Sequence, residues 1–277
     1  MLSRVTMHLK FCLVLGAAIA CASPASAQSL PSTNPDELPQ LRPGVVAGYI
    51  PREKLIDSLA LLPPPPEAGS EAQASDDAAR RAAIAIRKSA RWKLAARDAD
   101  YTSPKAVDAF ACTIGITISP TATPHLNMLL KRTLVDAGLA TYKAKIKYNR
   151  RRPFVAANDN TTCYPQDEEK LRKDGSYPSG HSAYGWAWAL ILAEMVPDKA
   201  DAIIQRGFQF GQNRIICGVH WQSDVNAGRV VAAAVVAQLH TNADFRAQFG
   251  AAQKEVQSAL ANNPTPDCAL EREVTAR

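Results

Sequence analysis

Three separated stretches of the chain hold side chains that could do chemistry together. Residues 145–153 read KIKYNRRRP, residues 178–181 read PSGH, and residues 214–224 read RIICGVHWQSD. Among their residues are Lys145, two well-spaced arginines (Arg152 and Arg214), a turn suited to starting a helix, two histidines and an aspartate. Such a set can gather a tetrahedral oxyanion and attack its phosphorus with an imidazole nitrogen.

Lys145 and Arg152 are seven residues apart, two helical turns, so a helix running through both would put them on one face. Pro153 disfavours helical backbone at the residue before it, which would instead place Arg152 just past the helix end. Either way an ammonium and a planar guanidinium can converge on one anion. Ser179 is a ready N-cap, and Gly180 has no side chain to obstruct a closely bound ligand. The N–H groups of that helix start, at the positive end of its dipole, favour phosphate. His181 then lies at the anion's edge, where it can protonate a leaving oxygen. His220 and Asp224 are i and i+4. On a helix the carboxylate would hold Nδ1–H and leave Nε2 free to attack. Arg214 lies six residues before His220, across a Gly218 that permits a tight bend. Taken singly, each stretch has a plainer reading as surface cations, a capping turn or a structural His–Asp pair.

The elements that must position these groups read as helices. Hydrophobic spacing and caps predict helices over 78–99 (after Ser75-Asp76-Asp77), 125–147, 181–196, from Asp198 as a cap to about 213, 219–240 and 244–261. Alternating strand patterns are scarce, so the prediction is all-α, a single-domain helical bundle over 76–277. Residues 28–75, rich in Pro, Ser and Asn and ending near the stiff run 63–66, are expected to wrap its surface.

Residues 1–27 read as a cleaved signal peptide. Arg4, His8 and Lys10 form a basic start, the apolar run 11–22 is short for a membrane span, and Ala25-Ser26-Ala27 suits the peptidase. The expected location is periplasmic or secreted, with no membrane span. Arg4 and Lys10 leave with the signal, so the formal charge falls from +6 to +4. That mild, dispersed excess does not point to nucleic acid. Cys112, Cys163, Cys217 and Cys268 remain, permitting two disulfides in any of three pairings. Their wide spacing, without CxxC, gives no expectation of a metal site, and Cys217 is expected to be structural.

In this order and spacing, the three stretches resemble the K-x6-RP, PSGH and SR-x5-H-x3-D signature of one superfamily. It joins the type-2 phosphatidic-acid phosphatases to the vanadium haloperoxidases. GSYPSGH at 175–181, LLPPPP at 61–66 and RWKLAARDA at 91–99 are similar to bacterial class A non-specific acid phosphatases. The resemblance implies the helical fold of that superfamily and hydrolysis of small phosphomonoesters. It makes His220 the nucleophile, Asp224 its orienter and His181 the acid. Lys145, Arg152, Ser179, Gly180 and Arg214 hold the phosphate oxygens. No cofactor is implied; vanadate is expected to inhibit as a phosphate mimic. Homo-oligomers occur among such enzymes, and a homo-oligomer is expected on that ground alone. With ordinary histidine pKa values near 6.5, a mildly acidic optimum follows. Two positions depart from the pattern: Asn213 stands in place of Ser, and Val135 precedes Asp136 where an acidic pair is common. The competing readings are a vanadate-dependent haloperoxidase, recognised by halide oxidation with peroxide, and a non-catalytic oxyanion-binding protein, recognised by binding without turnover.

Overall fold

A run that is apolar on every side has no face to give to water, so it must lie inside a bundle. In the computed structural model, which describes residues 30–103, 105–262 and 266–275, the run GHSAYGWAWALILAEM is that central helix. The signal peptide expected over 1–27 lies outside the described residues.

The chain opens with a short antiparallel ribbon, β1 (Gln40–Arg42) and β2 (Val45–Val46). It continues through α1 (Ser58–Leu61), α2 (Glu71–Ala85), α3 (Ala90–Ala99) and α4 (Ala111–Ile114). Then come α5 (Pro124–Ala140), α6 (Tyr142–Tyr148), α7 (Pro153–Ala156) and α8 (Glu168–Arg172). The chain ends with α9 (Gly180–Met195), α10 (Ala200–Ile216), α11 (Gln222–Leu239), α12 (Ala243–Asn262) and α13 (Ala269–Thr275). The fold is all-α, and the ribbon is the only sheet among the described residues.

Helix α9 is enclosed by α5, α10 and α11, while α3 packs on α10 and α12 on α5. Trp188, Ile191 and Leu192 are completely buried. Each such side chain contributes about 1.5–3 kcal/mol by leaving water. The Trp188 indole N–H is satisfied by the Leu130 carbonyl at 2.9 Å, which ties α9 to α5. Near the N-terminus, Asp136 of α5 accepts the backbone N–H groups of Tyr49 and Ile50 at 2.9 and 3.1 Å. Arg132 donates to the Ala47 and Gly48 carbonyls at 3.1 and 2.9 Å, so residues 47–50 are pinned along α5. Val135, just before Asp136, is buried in this structure.

Several helix limits differ from expectation, each for a local reason. The helix expected over 78–99 is two. Lys88 adopts a left-handed φ of 67°, and Ser89 caps α3 by accepting from Trp92 N–H. The first piece begins at Glu71, capped by Ser70, because Asp76 is turned inward to a buried arginine instead of facing water at a helix start. The helix expected over 125–147 breaks between α5 and α6, where the Thr141 hydroxyl donates to the Gly138 carbonyl at 2.7 Å. It ends at Asn149, whose φ of 39° is left-handed. Asp198 does not cap α10; it lies in a 3-10 turn, Pro197–Lys199. The helix expected from 219 starts at Gln222, which leaves His220 outside it.

Both disulfides form, as Cys112–Cys268 and Cys163–Cys217. The second joins residues 54 apart in sequence and fastens a loop to the end of α10, just before His220. Constraining the unfolded chain in this way typically stabilises by about 2–4 kcal/mol. Cys217 is bridged and fully buried, the structural role expected for it.

Candidate active site

The cluster is built where four chain segments end or begin. Helix α6 stops at Asn149, so Arg152 does not continue its face. Arg152 is extended, at the residue preceding α7. Lys145 and Arg152 nevertheless meet, because both donate to the Gly175 carbonyl, at 2.8 and 3.1 Å. Gly175 has to be glycine for this to happen: a Cβ there would stand 2.8 Å from the Lys145 carbonyl oxygen. The two cations also share the Asp174 carboxylate, at 3.7 Å from Lys145 and 2.9 Å from Arg152. Burial pushes the Lys145 ammonium down to about 8.

Ser179 is the N-cap of α9 and Gly180 its first residue. The Ser179 hydroxyl oxygen accepts from both the N–H and the hydroxyl of Ser182, at 3.2 and 2.9 Å. Its own hydroxyl hydrogen is therefore left for a third partner. A Cβ at Gly180 would meet Thr141 Oγ1 at 3.7 Å and the Gly138 carbonyl oxygen at 4.0 Å, both ordinary contacts, so the protein's own packing does not require glycine there.

His220 sits in the turn between α10 and α11. Its Nδ1 lies 3.4 Å from Asp224 Oδ2, and its Nε2 lies 3.0 Å from Arg152 Nη1. A guanidinium only donates, so Nε2 is the acceptor and the ring proton of the neutral imidazole is on Nδ1, facing Asp224. The pair was expected to meet across a helical turn. Instead, Asp224 occupies the first turn of α11 and reaches back, and Oδ2 also accepts the Trp221 N–H at 2.8 Å. Burial, then the nearby Arg152, Lys145 and Arg214 charges, hold His220 well below its ordinary value.

His181, in the first turn of α9, points its Nε2 at the Ala99 carbonyl, 3.0 Å away at the end of α3. A carbonyl only accepts, so Nε2 carries hydrogen and Nδ1 is the nitrogen left to gain a proton. Tyr101 and Tyr184 flank the ring at 5.4 and 5.0 Å between centroids. Burial and then Arg214 push His181 well below the usual histidine range. A doubly charged anion would oppose that shift.

Arg214 is almost completely buried near the C-terminal end of α10, and burial lowers it to about 10. Its Nε and Nη1 have no hydrogen-bond partner among the described residues. Unpaired donors on a buried cation are costly unless an anion completes them. Beside it, the departure at Asn213 is built into the fold: Asn213 Nδ2 donates to buried Asp98 at 2.7 Å, and Arg206 donates to the same carboxylate at 2.7 Å.

The eight residues singled out for the site thus fall in one cluster, six of them buried and Gly180 and His181 half-buried. Sequence reasoning missed the groups that hold it. Arg150 was visible only as part of a basic run, although it donates to Asp224 Oδ1 at 2.7 Å. Asp174 lies just ahead of the GSYPSGH run and carried no signal of its own, and Gly175 was visible only as the first residue of that run. Asp76, Asp98 and the Ala99 carbonyl are distant in sequence, and no spacing rule connects them to the site. No group of three or more His, Cys, Asp or Glu side chains that could hold a metal ion occurs among the described residues, and none of their helices is long and apolar enough to cross a membrane.

Comparison with known proteins places this cluster in context. Residues 126–247 match the PAP2 superfamily, a span containing all eight residues singled out above. The chain is 47 % identical over 208 residues to a non-specific acid phosphatase of Providencia stuartii, covering 75 % of this chain and 84 % of that one. It is 44 % identical over 219 residues to an acid phosphatase of Zymomonas mobilis, covering 78 % and 83 %. A non-specific acid phosphatase of Salmonella typhimurium is 44 % identical over 205 residues, covering 74 % and 82 %.

Proposed function

Since the chain belongs to the PAP2 superfamily and, within it, to the bacterial class A acid phosphatases, and is a phosphomonoester hydrolase, we propose that it works by a metal-independent phosphohistidine route. The observation that carries this reading is Arg214, a buried cation with two unpartnered donors beside Lys145, Arg152 and both histidines. Three protein cations, the Ser179 hydroxyl and the Gly180 N–H hold the phosphoryl oxygens, and their charge does the work a metal does elsewhere.

In the first step His220 Nε2 attacks phosphorus as the ester P–O bond breaks. His181 gives its proton to the departing alkoxide, releasing the alcohol. Asp224 accepts Nδ1–H throughout and offsets the positive charge the ring gains. Water then attacks the phosphohistidine, His181 takes a proton from it, the P–N bond breaks, and inorganic phosphate leaves. The protein's own charges keep His220 neutral and nucleophilic. They also keep His181 neutral until a phosphate dianion draws a proton onto Nδ1, so substrate binding arms the acid. Arg152 Nη1 must turn from Nε2 to the phosphate for attack to begin. The substrates are small phosphomonoesters, and the setting is the periplasm or the medium, which the two disulfides support.

The deciding experiment is p-nitrophenyl phosphate hydrolysis by the mature chain with EDTA, at about pH 6, near the ordinary histidine pKa. The expected result is turnover in the parent, at least about 10⁴-fold less in His220→Ala, and inhibition by vanadate. Turnover that survives the substitution, or that EDTA abolishes, overturns the route. Halide oxidation by peroxide with added vanadate, in place of ester hydrolysis, identifies the haloperoxidase alternative.

A further inference from the structure

We propose that Arg150 is a positioning residue for the His220–Asp224 couple, locked in place by Asp76 of α2. The inference rests on His220 acting as nucleophile. Arg150 follows the left-handed Asn149 at the end of α6, and its side chain is only 9 % exposed. Both ends of its guanidinium are spoken for. Nη1 donates to Asp224 Oδ1 and to Ser223 Oγ, each at 2.7 Å. Nη2 donates to Asp76 Oδ2 at 2.8 Å and to Gln73 Oε1 at 2.6 Å. Asp76 in turn accepts the Ser223 N–H and hydroxyl at 2.8 and 2.6 Å, and the guanidinium lies 5.3 Å over the Trp221 ring.

The consequence is a division of Asp224. Oδ1 is held by Arg150, while Oδ2 faces the Trp221 N–H and His220 Nδ1. Its other charged or titratable neighbours are Lys145, Arg152 and Tyr177. Burial works against a carboxylate in this position, and Arg150 is the largest opposing influence. A protonated Asp224 would carry no charge to offset the one His220 gains. With its Nη groups bonded to Asp224, Ser223, Asp76 and Gln73, Arg150 has no role left in holding phosphate. Its removal should therefore act on turnover and on pH dependence, not on substrate affinity.

The test compares Arg150→Met, Arg150→Lys and Asp76→Asn with the parent enzyme, measuring kcat and KM for p-nitrophenyl phosphate from about pH 4 to about pH 8, with thermal melts alongside. In Arg150→Met, kcat should fall about 10²-fold with KM within about twofold, and the acid limb of kcat should rise by about one pH unit. Arg150→Lys should recover part of both, and Asp76→Asn should show the same limb shift at smaller size. A KM increase at unchanged kcat overturns the proposal, because it makes Arg150 a phosphate ligand. A loss of equal size at every pH, tracking a lower melting temperature, overturns it in favour of a merely structural role. Should Arg150→Met not fold, Asp76→Asn decides, since it leaves Arg150 and the site cations in place: no limb shift there refutes the lock. Failure of the phosphohistidine route would show separately, as parent turnover that does not depend on His220.

Discussion

Residues 126–247 and the helix pair α2–α3 contribute to the same site in opposite ways. Every group assigned to the reaction lies in the first region, which is also the span matching the PAP2 superfamily. The pair contributes none of them. It supplies instead two buried carboxylates and a carbonyl: Asp76 to Arg150 and Ser223, Asp98 to Arg206 and Asn213, and Ala99 to His181. The groups assigned to chemistry thus lie in the first region alone, while the pair contributes only support. A cation in the cradle acts on the anion directly. A carboxylate of the pair acts by fixing a side chain that would otherwise have several rotamers, and by compensating a buried charge.

Substitutions in the two regions should separate accordingly. The largest effect is expected from Arg214→Met in the first region, a fall of about 10³-fold in kcat/KM with the fold retained, read from steady-state kinetics and circular dichroism. An equally large loss of stability would blur the distinction. Next is Asp98→Ala in the pair. It strands buried Arg206 and Asn213, so the denaturation midpoint should fall by the equivalent of about 3–5 kcal/mol. Molecules that remain folded should keep a larger share of activity than the Arg214 variant does. A smaller effect concerns pH. Because burial brings Lys145 down to about 8, raising the pH past that value removes its charge and weakens phosphate binding. KM should climb by up to about tenfold per pH unit above it, a rise that Lys145→Arg, which cannot lose its proton, should flatten. The smallest change is expected for Asn213→Ser. It gives up one hydrogen bond to Asp98 but also removes an acceptor, Asn213 Oδ1, that has no partner, so the melting temperature should move by the equivalent of less than about 1 kcal/mol.

The legibility of the site followed from how its groups are encoded. Lys145, Arg152, Ser179, His181, Arg214, His220 and Asp224 fall in three short runs whose internal spacing is informative, and all seven are brought together. The geometry inferred from spacing was less secure. His220 and Asp224 do meet, yet across the start of α11 and not along one of its faces, because Trp221 takes the N-cap position. Lys145 and Arg152 meet through the Gly175 carbonyl, not a shared helical face. Local spacing could not reveal either detail, since a left-handed residue such as Asn149 or a cap at residue 221 redirects the chain at almost no cost in composition.

Apolar periodicity and the absence of strand patterns were enough by themselves to point to an all-α bundle with a strongly apolar helix over 181–196, and three motifs were enough to name a set of residues that the fold brings together. Tertiary structure alone decided the pairing of four cysteines, the break between α2 and α3, and the choice of Arg150, Asp76 and Asp98 as supports. The physical reason is range. Helix periodicity and caps are set by neighbours within a turn or two, whereas a buried carboxylate is matched to its arginine by packing between segments far apart, 108 residues for Asp98 and Arg206, and such a match leaves no period in the sequence.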